Sequence, residues 1–222
     1  MTITVDEFTV ADPAEAWTAA GFTVDDDAVC RIGTVRVRLV GRGRGTGIVG
    51  WSLRGLPEDG ALDGIPTTRS TAESAAPAEH PNGVTAIDHV VLLSPHLART
   101  VAALTSAGAS PRRERDGELG GRPMRQVFFR FGEVIVEVVG SPTTMGKGAS
   151  SLWGLTYTVA DIDETAAFYG ERTAPIKAAV QPGRRITTLR TRDLGISVRT
   201  AMISEHVPQS PRSCPPPPIL GQ

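Results

Sequence analysis

The chain has 222 residues, and 40% of them are hydrophobic, which is enough to build a sizeable buried core. Its 23 Lys and Arg residues nearly balance its 24 Asp and Glu residues, so the net charge of -1 recruits neither nucleic acid nor an anionic membrane. The two cysteines, Cys30 and Cys214, form no CxxC pair, and no stretch approaches the roughly 18 apolar residues of a membrane span, so we expect a cytoplasmic protein with free thiols.

Residues 1–56 are predicted to form a strand, a short helix and further strands. In "FTVADPAEAWTAAG" (8–21), Asp12 suits the N-cap of the helix and Gly21 suits its end. Two strand-like runs, "AVCRIGTVRVRLVG" and "GIVGWSLRGL", follow the helix. The GxGxxG pattern at 45–50 precedes a strand, so it predicts a hairpin turn instead of a phosphate-binding loop. The arginines nearby could touch phosphates but are interpreted as a solvated basic face: Arg36, Arg38, Arg42 and Arg44.

Two other stretches lack a sustained hydrophobic period. Residues 57–83 are rich in Pro, Ala, Ser, Thr and Gly, and they are predicted to be a flexible linker. Residues 205–222 end in "PRSCPPPPILGQ", which predicts an extended, disordered Pro-rich tail. The folded units should therefore lie on either side of the linker.

The N-terminal pattern recurs twice further along the chain. "YTVADIDETAAFYG" (157–170) shares with residues 8–21 an aromatic residue, Thr-Val-Ala-Asp and an alanine-rich helix that ends at Gly. "IDHVVLLSPHLARTVAALTSAGA" (87–109) is a more divergent copy, in which Ser94 suits the helix N-cap. Strand-like runs follow each copy, so the repeated unit is a strand, a helix and about three strands. This order predicts an α+β fold in which helices cover one face of a sheet.

One strand of the second copy carries an isolated carboxylate. In "FGEVIVEVVG" (131–140), Glu137 lies among β-branched residues that occupy both faces of the strand. Burying this charge without a partner would cost on the order of several kcal/mol. The partner could be a metal ion, a histidine, or an arginine such as Arg125, Arg130 or one of those in "QPGRRITTLR".

The succession of "IDHVVLLSPHLARTVAAL", "RQVFFRFGEVIVEVV" and "WGLTYTVADIDETAAFYG" resembles the vicinal oxygen chelate superfamily, which includes glyoxalases, extradiol dioxygenases and the fosfomycin- and bleomycin-resistance proteins. The resemblance implies tandem βαβββ modules at 84–141 and 150–204, paired face to face into a glyoxalase-like half-open barrel over 84–204. Residues 1–56 would be a diverged N-terminal module of the same kind. Because three modules leave one unpaired, a homodimer could supply the missing partner.

The resemblance also implies a metal site, because these families take a His from the first strand of a module and a Glu from its last strand as ligands. These positions fall on His89 and Glu137. Strand alternation is expected to place His89 on one face with Ile87 and Val91. The implied cofactor is a divalent Mn, Ni, Zn or Fe ion, with His89 and Glu137 as both its ligands and the catalytic residues.

The sequence departs from the family at two positions. Gly154 stands where the next module would carry its first-strand ligand, and Ala201 lies in a last strand that has no carboxylate. Two ligands remain where a catalytic metal site typically has three. A metal-free pair of His89 and Glu137, or a His89 that is only a buried core residue, therefore stays open.

The predicted function is to bind a small oxygen-rich molecule in the cavity between the paired modules. Trp153, Tyr157 and Arg125 are the candidate ligand-binding residues, since aromatic rings with polar atoms and a cation suit such a cavity. With a metal, the resemblance implies lyase, isomerase or dioxygenase chemistry. Without a metal, it implies binding or sequestration of the ligand, as in the bleomycin-resistance proteins.

Overall fold

A computed structural model describes residues 2–206, and this part of the chain contains three α-helices and two β-sheets. The helices are α1 (Ala14–Ala19), α2 (Leu97–Ser106) and α3 (Ile162–Tyr169). The strands of the first sheet are β1 (Thr4–Val10), β2 (Val29–Ile32), β3 (Val35–Leu39), β4 (Ile48–Arg54), β5 (Gly60–Leu62) and β6 (Ile65–Ser70). The strands of the second sheet are β7 (Val84–Leu93), β8 (Pro111–Leu119), β9 (Arg122–Phe131), β10 (Val134–Gly140), β11 (Ser151–Val159), β12 (Lys177–Ala178), β13 (Arg185–Thr188) and β14 (Arg199–Ser204). Nearly all of the predicted tail, with Cys214, lies outside the described residues.

The second sheet consists of two βαβββ modules. Its strand order is β12-β13-β14-β11-β7-β10-β9-β8, and in each module the first strand pairs in parallel with the last, β7 with β10 and β11 with β14. The two modules join edge to edge through the antiparallel pair β7–β11, so they share one open sheet. The α+β fold and the tandem modules are thereby confirmed, whereas the expected face-to-face pairing is corrected to a side-by-side one.

The first sheet contains two shortened units in place of one. Its order is β2-β3-β1-β4-β6-β5, with β1 parallel to β3, β4 parallel to β6, and β1 antiparallel to β4. The second unit has no helix between β4 and β5, and its strands β5 and β6 come from the predicted linker 57–83. The linker expectation is therefore corrected over 60–70, where Thr67 accepts a hydrogen bond of 2.7 Å from the buried Trp51 indole. A fourth unit also removes the argument for a dimer that rested on an unpaired module.

Each of the four units carries a β-bulge at the same place in its first strand. A bulge inserts one residue that has no partner on the neighbouring strand. The bulged residues at this place are Asp6, Val49, Asp88 and Trp153, and β7 has a further irregularity at Thr85. The residues that follow them in the first strands are Glu7, Gly50, His89 and Gly154. Each of these residues has a partner opposite it on the parallel last strand of its unit. The residues two positions beyond those partners, on the same face of the sheet, are Arg38, Thr68, Glu137 and Ala201.

The repeated helices begin in different ways. Asp161 caps α3 as its sequence suggests, because its carboxylate accepts hydrogen bonds from the backbone N–H groups of Asp163 and Glu164. Asp12 does not cap α1, because its carboxylate is turned toward the last module, where it accepts the Ser197 N–H at 3.0 Å. Helix α2 begins at an N-cap formed by His96, and Ser94 does not take this role.

The core lies between the two sheets and beneath the helices. Trp51 of the first sheet and Phe131 of the second meet there with their ring centres 5.8 Å apart, and Phe22, which follows α1, is centred 5.4 Å from Tyr157 of the second sheet. Burial raises the pKa of the free Cys30 thiol well above its ordinary value, so this residue is a small core side chain. Within residues 2–206, no helix has the length and apolar character that crossing a membrane requires.

Candidate functional site on the second sheet

The structure brings the two principal candidate residues together. Strand β7 pairs in parallel with β10, and His89 lies opposite Ile135. Glu137 is two residues further along β10 and projects on the same face, so its Oε2 atom lies 3.7 Å from Nε2 of His89. Each of the two side chains is 14% exposed, so the pair is reachable from solvent but largely covered.

The bulge at Asp88 decides which residues share this face with His89. His89 lies opposite Thr156 on β11, whereas Ile87 lies opposite Tyr157, so Ile87 and His89 point to opposite sides of the sheet. The expectation that they share a face is wrong, because strict alternation does not account for an inserted residue. Ile87 and Tyr157 face the core, whereas Val91 lies on the side of His89.

A carboxylate and an arginine hold the His89 ring from one side. Nδ1 of His89 lies 2.8 Å from Asp88 Oδ2, and Arg184 donates to the other oxygen of Asp88 and to the Ser204 carbonyl. Burial raises the pKa of Asp88, but the hydrogen bonds from His89 and Arg184 and their charges outweigh this effect and hold the pKa below its usual value. Asp88 was not predicted from the sequence, since alternation places it on the other face, and Arg184, one of the arginines considered as a partner of Glu137, pairs with Asp88 instead.

Glu137 has a neutral partner. Gln126 on β9 donates from its side-chain amide to Glu137 Oε1, and the Nε of Arg115 donates to the Gln126 oxygen at 2.7 Å. The carboxylate is thus satisfied by an amide that an arginine orients, and none of the arginines expected from the sequence contacts it. Gln126 is 7% exposed, and sequence reasoning missed it because it considered only cations and metal ions.

The three expected ligand-binding residues lie elsewhere. Arg125 alternates with Gln126, points to the other face and pairs with Asp116 on β8, with Nε and Oδ1 2.6 Å apart. Tyr157 is fully buried, and its ring lies against that of Phe22, which follows α1. Trp153 is the bulged residue of β11, is 49% exposed and stacks with the Arg199 guanidinium. The expected grouping of these residues around His89 is therefore corrected.

The residues present do not fit a metal centre of the implied type. In the described part of the chain, no cluster of three or more His, Cys, Asp and Glu side chains is arranged to hold a metal ion. The positions equivalent to His89 and Glu137 in the last module are Gly154 and Ala201, which offer no donor atoms. Gly154 cannot be exchanged for a ligand, because a Cβ there would lie 2.6 Å from the Arg199 carbonyl oxygen.

The equivalent positions in the first sheet hold an ion pair. Glu7 and Arg38 correspond to His89 and Glu137, and the Arg38 Nε lies 3.0 Å from both carboxylate oxygens of Glu7. The helix-less unit has Gly50 and Thr68 at these positions. Among the four units of residues 2–206, the third, which begins with β7, alone places an imidazole beside a carboxylate.

Comparison with known proteins agrees on the fold. No protein-family model and no curated protein sequence matches the chain. Among solved structures, a variant of 4-hydroxymandelate synthase from Streptomyces coelicolor is 13% identical with a TM-score of 0.63, and the match covers 94% of each chain. A catechol 2,3-dioxygenase is 12% identical with a TM-score of 0.63, over 95% of this chain and 96% of that one. An extradiol ring-cleaving dioxygenase from B. fuscum is 13% identical with a TM-score of 0.58, over 96% and 74%.

These similarities confirm the fold that the resemblance to the vicinal oxygen chelate superfamily predicts. At 12 to 13% identity, these similarities establish the architecture alone. The chemistry of the site has to be inferred from its own residues.

Proposed function

We propose that this chain is a metal-free protein that binds a small oxygen-rich molecule on the face of the second sheet that carries His89 and Glu137. The observation that supports this proposal is the arrangement of the pair, in which Nε2 and Oε2 lie 3.7 Å apart while neighbouring side chains occupy Nδ1 and Oε1. The two facing atoms have no hydrogen-bond partner among residues 2–206. With the Nδ1 proton directed to Asp88, Nε2 and the carboxylate Oε2 are both acceptors, so a hydroxyl group of a ligand can donate to them.

The surroundings of the pair favour a small molecule with both polar and apolar parts. Val91, Ile135 and Val139 lie on the same face as His89 and Glu137, and they are half-buried. Such a surface can bury the carbon skeleton of a ligand while the polar pair fixes its oxygen atoms. The missing donors at Gly154 and Ala201 support a role without a metal.

A second candidate function is proton transfer without a metal. The hydrogen bond from His89 Nδ1 to Asp88 orients the ring so that Nε2 faces the open side of the sheet. Orientation of an imidazole by a carboxylate is a common feature of histidines that act as general bases. Exchange of a ligand's C–H hydrogen for deuterium in D2O, lost in His89→Ala, would distinguish this enzyme from a binding protein.

The binding proposal can be tested with compounds named in the structural neighbours. We expect catechol or 4-hydroxymandelate to bind the wild-type protein in an isothermal titration without added metal. We expect His89→Ala and Glu137→Ala each to weaken binding about tenfold or more, which corresponds to about 1.4 kcal/mol. His206→Ala, at an exposed histidine outside the strands, is the control and should bind like wild type. Binding by neither compound, or undiminished binding by both site variants, would contradict the proposal.

A further inference from the structure

A polar cavity lies where the first sheet meets the last module. Its volume is about 350 Å3, and its walls come from the turn after β3 and from the segment that leads into β14. Neither His89 nor Glu137 lines it, so it is separate from the pair described above. The side chains that give it its polar character are Arg42, Thr46, Thr191, Arg192, Ser197 and Arg199.

The cavity carries positive charge that the described residues do not neutralise. Three of its lining residues are arginines, and none is an aspartate or glutamate. Within residues 2–206, Arg192 and Arg199 make no ion pair, and Arg42 donates only to the Gly195 carbonyl, at 2.6 Å. Arg199 also packs over the Trp153 ring, 5.9 Å from its centroid, which restricts where its guanidinium can point.

The walls of the cavity are fixed by hydrogen bonds that reach the buried Asp12. Asp12 is completely buried and accepts the Ser197 N–H and the Trp17 indole N–H. The Ser197 hydroxyl accepts the Gly47 N–H at 2.7 Å, which joins the turn of the first sheet to the last module. The Asp12 carboxylate thus accepts from these groups and does not line the cavity, and the Gly47–Ser197 hydrogen bond connects its two walls.

We propose that this cavity binds the phosphate group of a small phosphorylated molecule. A guanidinium group can pair with a phosphate group through two parallel hydrogen bonds. The cavity has three guanidinium groups and two threonine hydroxyls, which together offer more hydrogen-bond donors than a single carboxylate can accept from. The volume is within the range of small-molecule sites, so it also admits an organic part attached to the phosphate. The arginines that the sequence suggested as one solvated basic face therefore have different surroundings. Arg36 pairs with Asp6 and Arg38 with Glu7, whereas Arg42 lines the cavity.

The test is an isothermal titration of the full chain at constant ionic strength with inorganic phosphate, glycerol 3-phosphate and malonate. We expect glycerol 3-phosphate to bind at least as tightly as inorganic phosphate, and both to bind at least tenfold more tightly than malonate. Arg192→Ala and Arg199→Ala should each weaken phosphate binding about tenfold or more. Arg112→Ala removes the same charge at an exposed position on β8 and should leave binding unchanged.

Several results would overturn this inference. No binding of either phosphate compound, equal weakening by the Arg112 control, or a preference for malonate would each exclude a phosphate site. Binding of inorganic phosphate without glycerol 3-phosphate would exclude an esterified ligand. His89→Ala should bind phosphate like wild type, so failure of the proposed binding function at His89 and failure of this site are distinguishable.

Discussion

At the scale of single residues, the two polar side chains of the candidate site, His89 and Glu137, are each held by one neighbouring side chain. Glu137 is tolerated in a strand of β-branched residues because Gln126 donates to it and Arg115 orients Gln126. The resemblance to the vicinal oxygen chelate superfamily, which takes a His from the first strand of a module and a Glu from its last, was sufficient to predict that His89 and Glu137 meet. The identity of their partners was not predictable, because Gln126 and Asp88 reach them through register and a bulge that the sequence does not reveal.

Asp88 should make the stability of the protein depend on acid pH. Its folded-state pKa lies below the ordinary value of about 3.9, so its stabilising effect is complete above that value and is lost as the pH falls through the folded-state pKa. We expect Asp88→Asn to lower the free energy of unfolding at pH 6, and the difference from wild type to shrink below about pH 4. Urea unfolding at several pH values measures this difference.

The control for this prediction is Asp26→Asn, which changes an exposed carboxylate in a loop. Its difference from wild type should be small at every pH. A difference for Asp88→Asn that stays constant between pH 6 and pH 3 would show that the carboxylate is not held by His89 and Arg184.

The two buried tyrosines should respond oppositely to loss of their hydroxyl groups. Tyr169 donates to the Ala20 carbonyl and accepts from the Asn82 amide, whereas the Tyr157 hydroxyl has no partner among the described residues. We expect Tyr157→Phe to raise the free energy of unfolding by about 1 kcal/mol and Tyr169→Phe to lower it by about 1 kcal/mol. Urea unfolding at pH 7 measures both values. Equal destabilisation by the two variants would mean that the Tyr157 hydroxyl is also bonded.

At the scale of elements, the bulge in each first strand determines which side chains reach the open face. Alternation along β7 correctly places Val91 on the same face as His89. It gives the wrong face for Ile87, because the bulge at Asp88 lies between Ile87 and His89. A bulge has no firm signature in one sequence, so it could not be predicted. The repeated Thr-Val-Ala-Asp motif did predict helices after β1 and β11, since capping and hydrophobic spacing are local properties.

Gly154 is required by the close approach of β14 to β11. A Cβ at this position would lie 2.6 Å from the Arg199 carbonyl oxygen, so we expect Gly154→Ala to destabilise the protein by about 2 kcal/mol. Gly60→Ala is the matched control, because Gly60 also lies in a strand but has no atom within 4 Å of its added Cβ. Thermal and urea unfolding of both variants give the comparison. A harmless Gly154→Ala would reopen this position to a metal ligand.

At the scale of the whole molecule, two sheets of paired units pack together, and the smaller sheet has lost a helix. Three of the four units could be recognised from their repeated pattern. The remaining unit was not recognised: its strand β4 was assigned to the N-terminal module and its strands β5 and β6 to the linker, because it has no helix and β6 contains a proline and few apolar residues. Tertiary contacts order this segment where local propensity is weak.

Asp63 should contribute strongly to the contact between the unit β4–β6 and the second sheet. Its carboxylate accepts hydrogen bonds from Arg99 and Thr100 of α2 and from Ser150 before β11. We expect Asp63→Asn to lower the free energy of unfolding by about 2 kcal/mol, since a charged acceptor in this cluster is lost. Asparagine tolerates the left-handed backbone of Asp63, whose φ is 51°, so the effect reports the charge. Urea unfolding measures the free energy of unfolding of Asp63→Asn, with Asp26→Asn as the control. A change below about 0.5 kcal/mol for Asp63→Asn would contradict this role.

The central claim is that His89 and Glu137 act together without a metal ion. It is tested most directly by titrating Mn(II), Ni(II), Zn(II) and Fe(II) into chelator-treated protein while following the melting temperature, which rises when a ligand binds the folded state. We expect wild type, His89→Ala and Glu137→Ala to respond alike to every metal. Stabilisation of the wild-type protein by one of these ions, abolished in both variants, would contradict the claim.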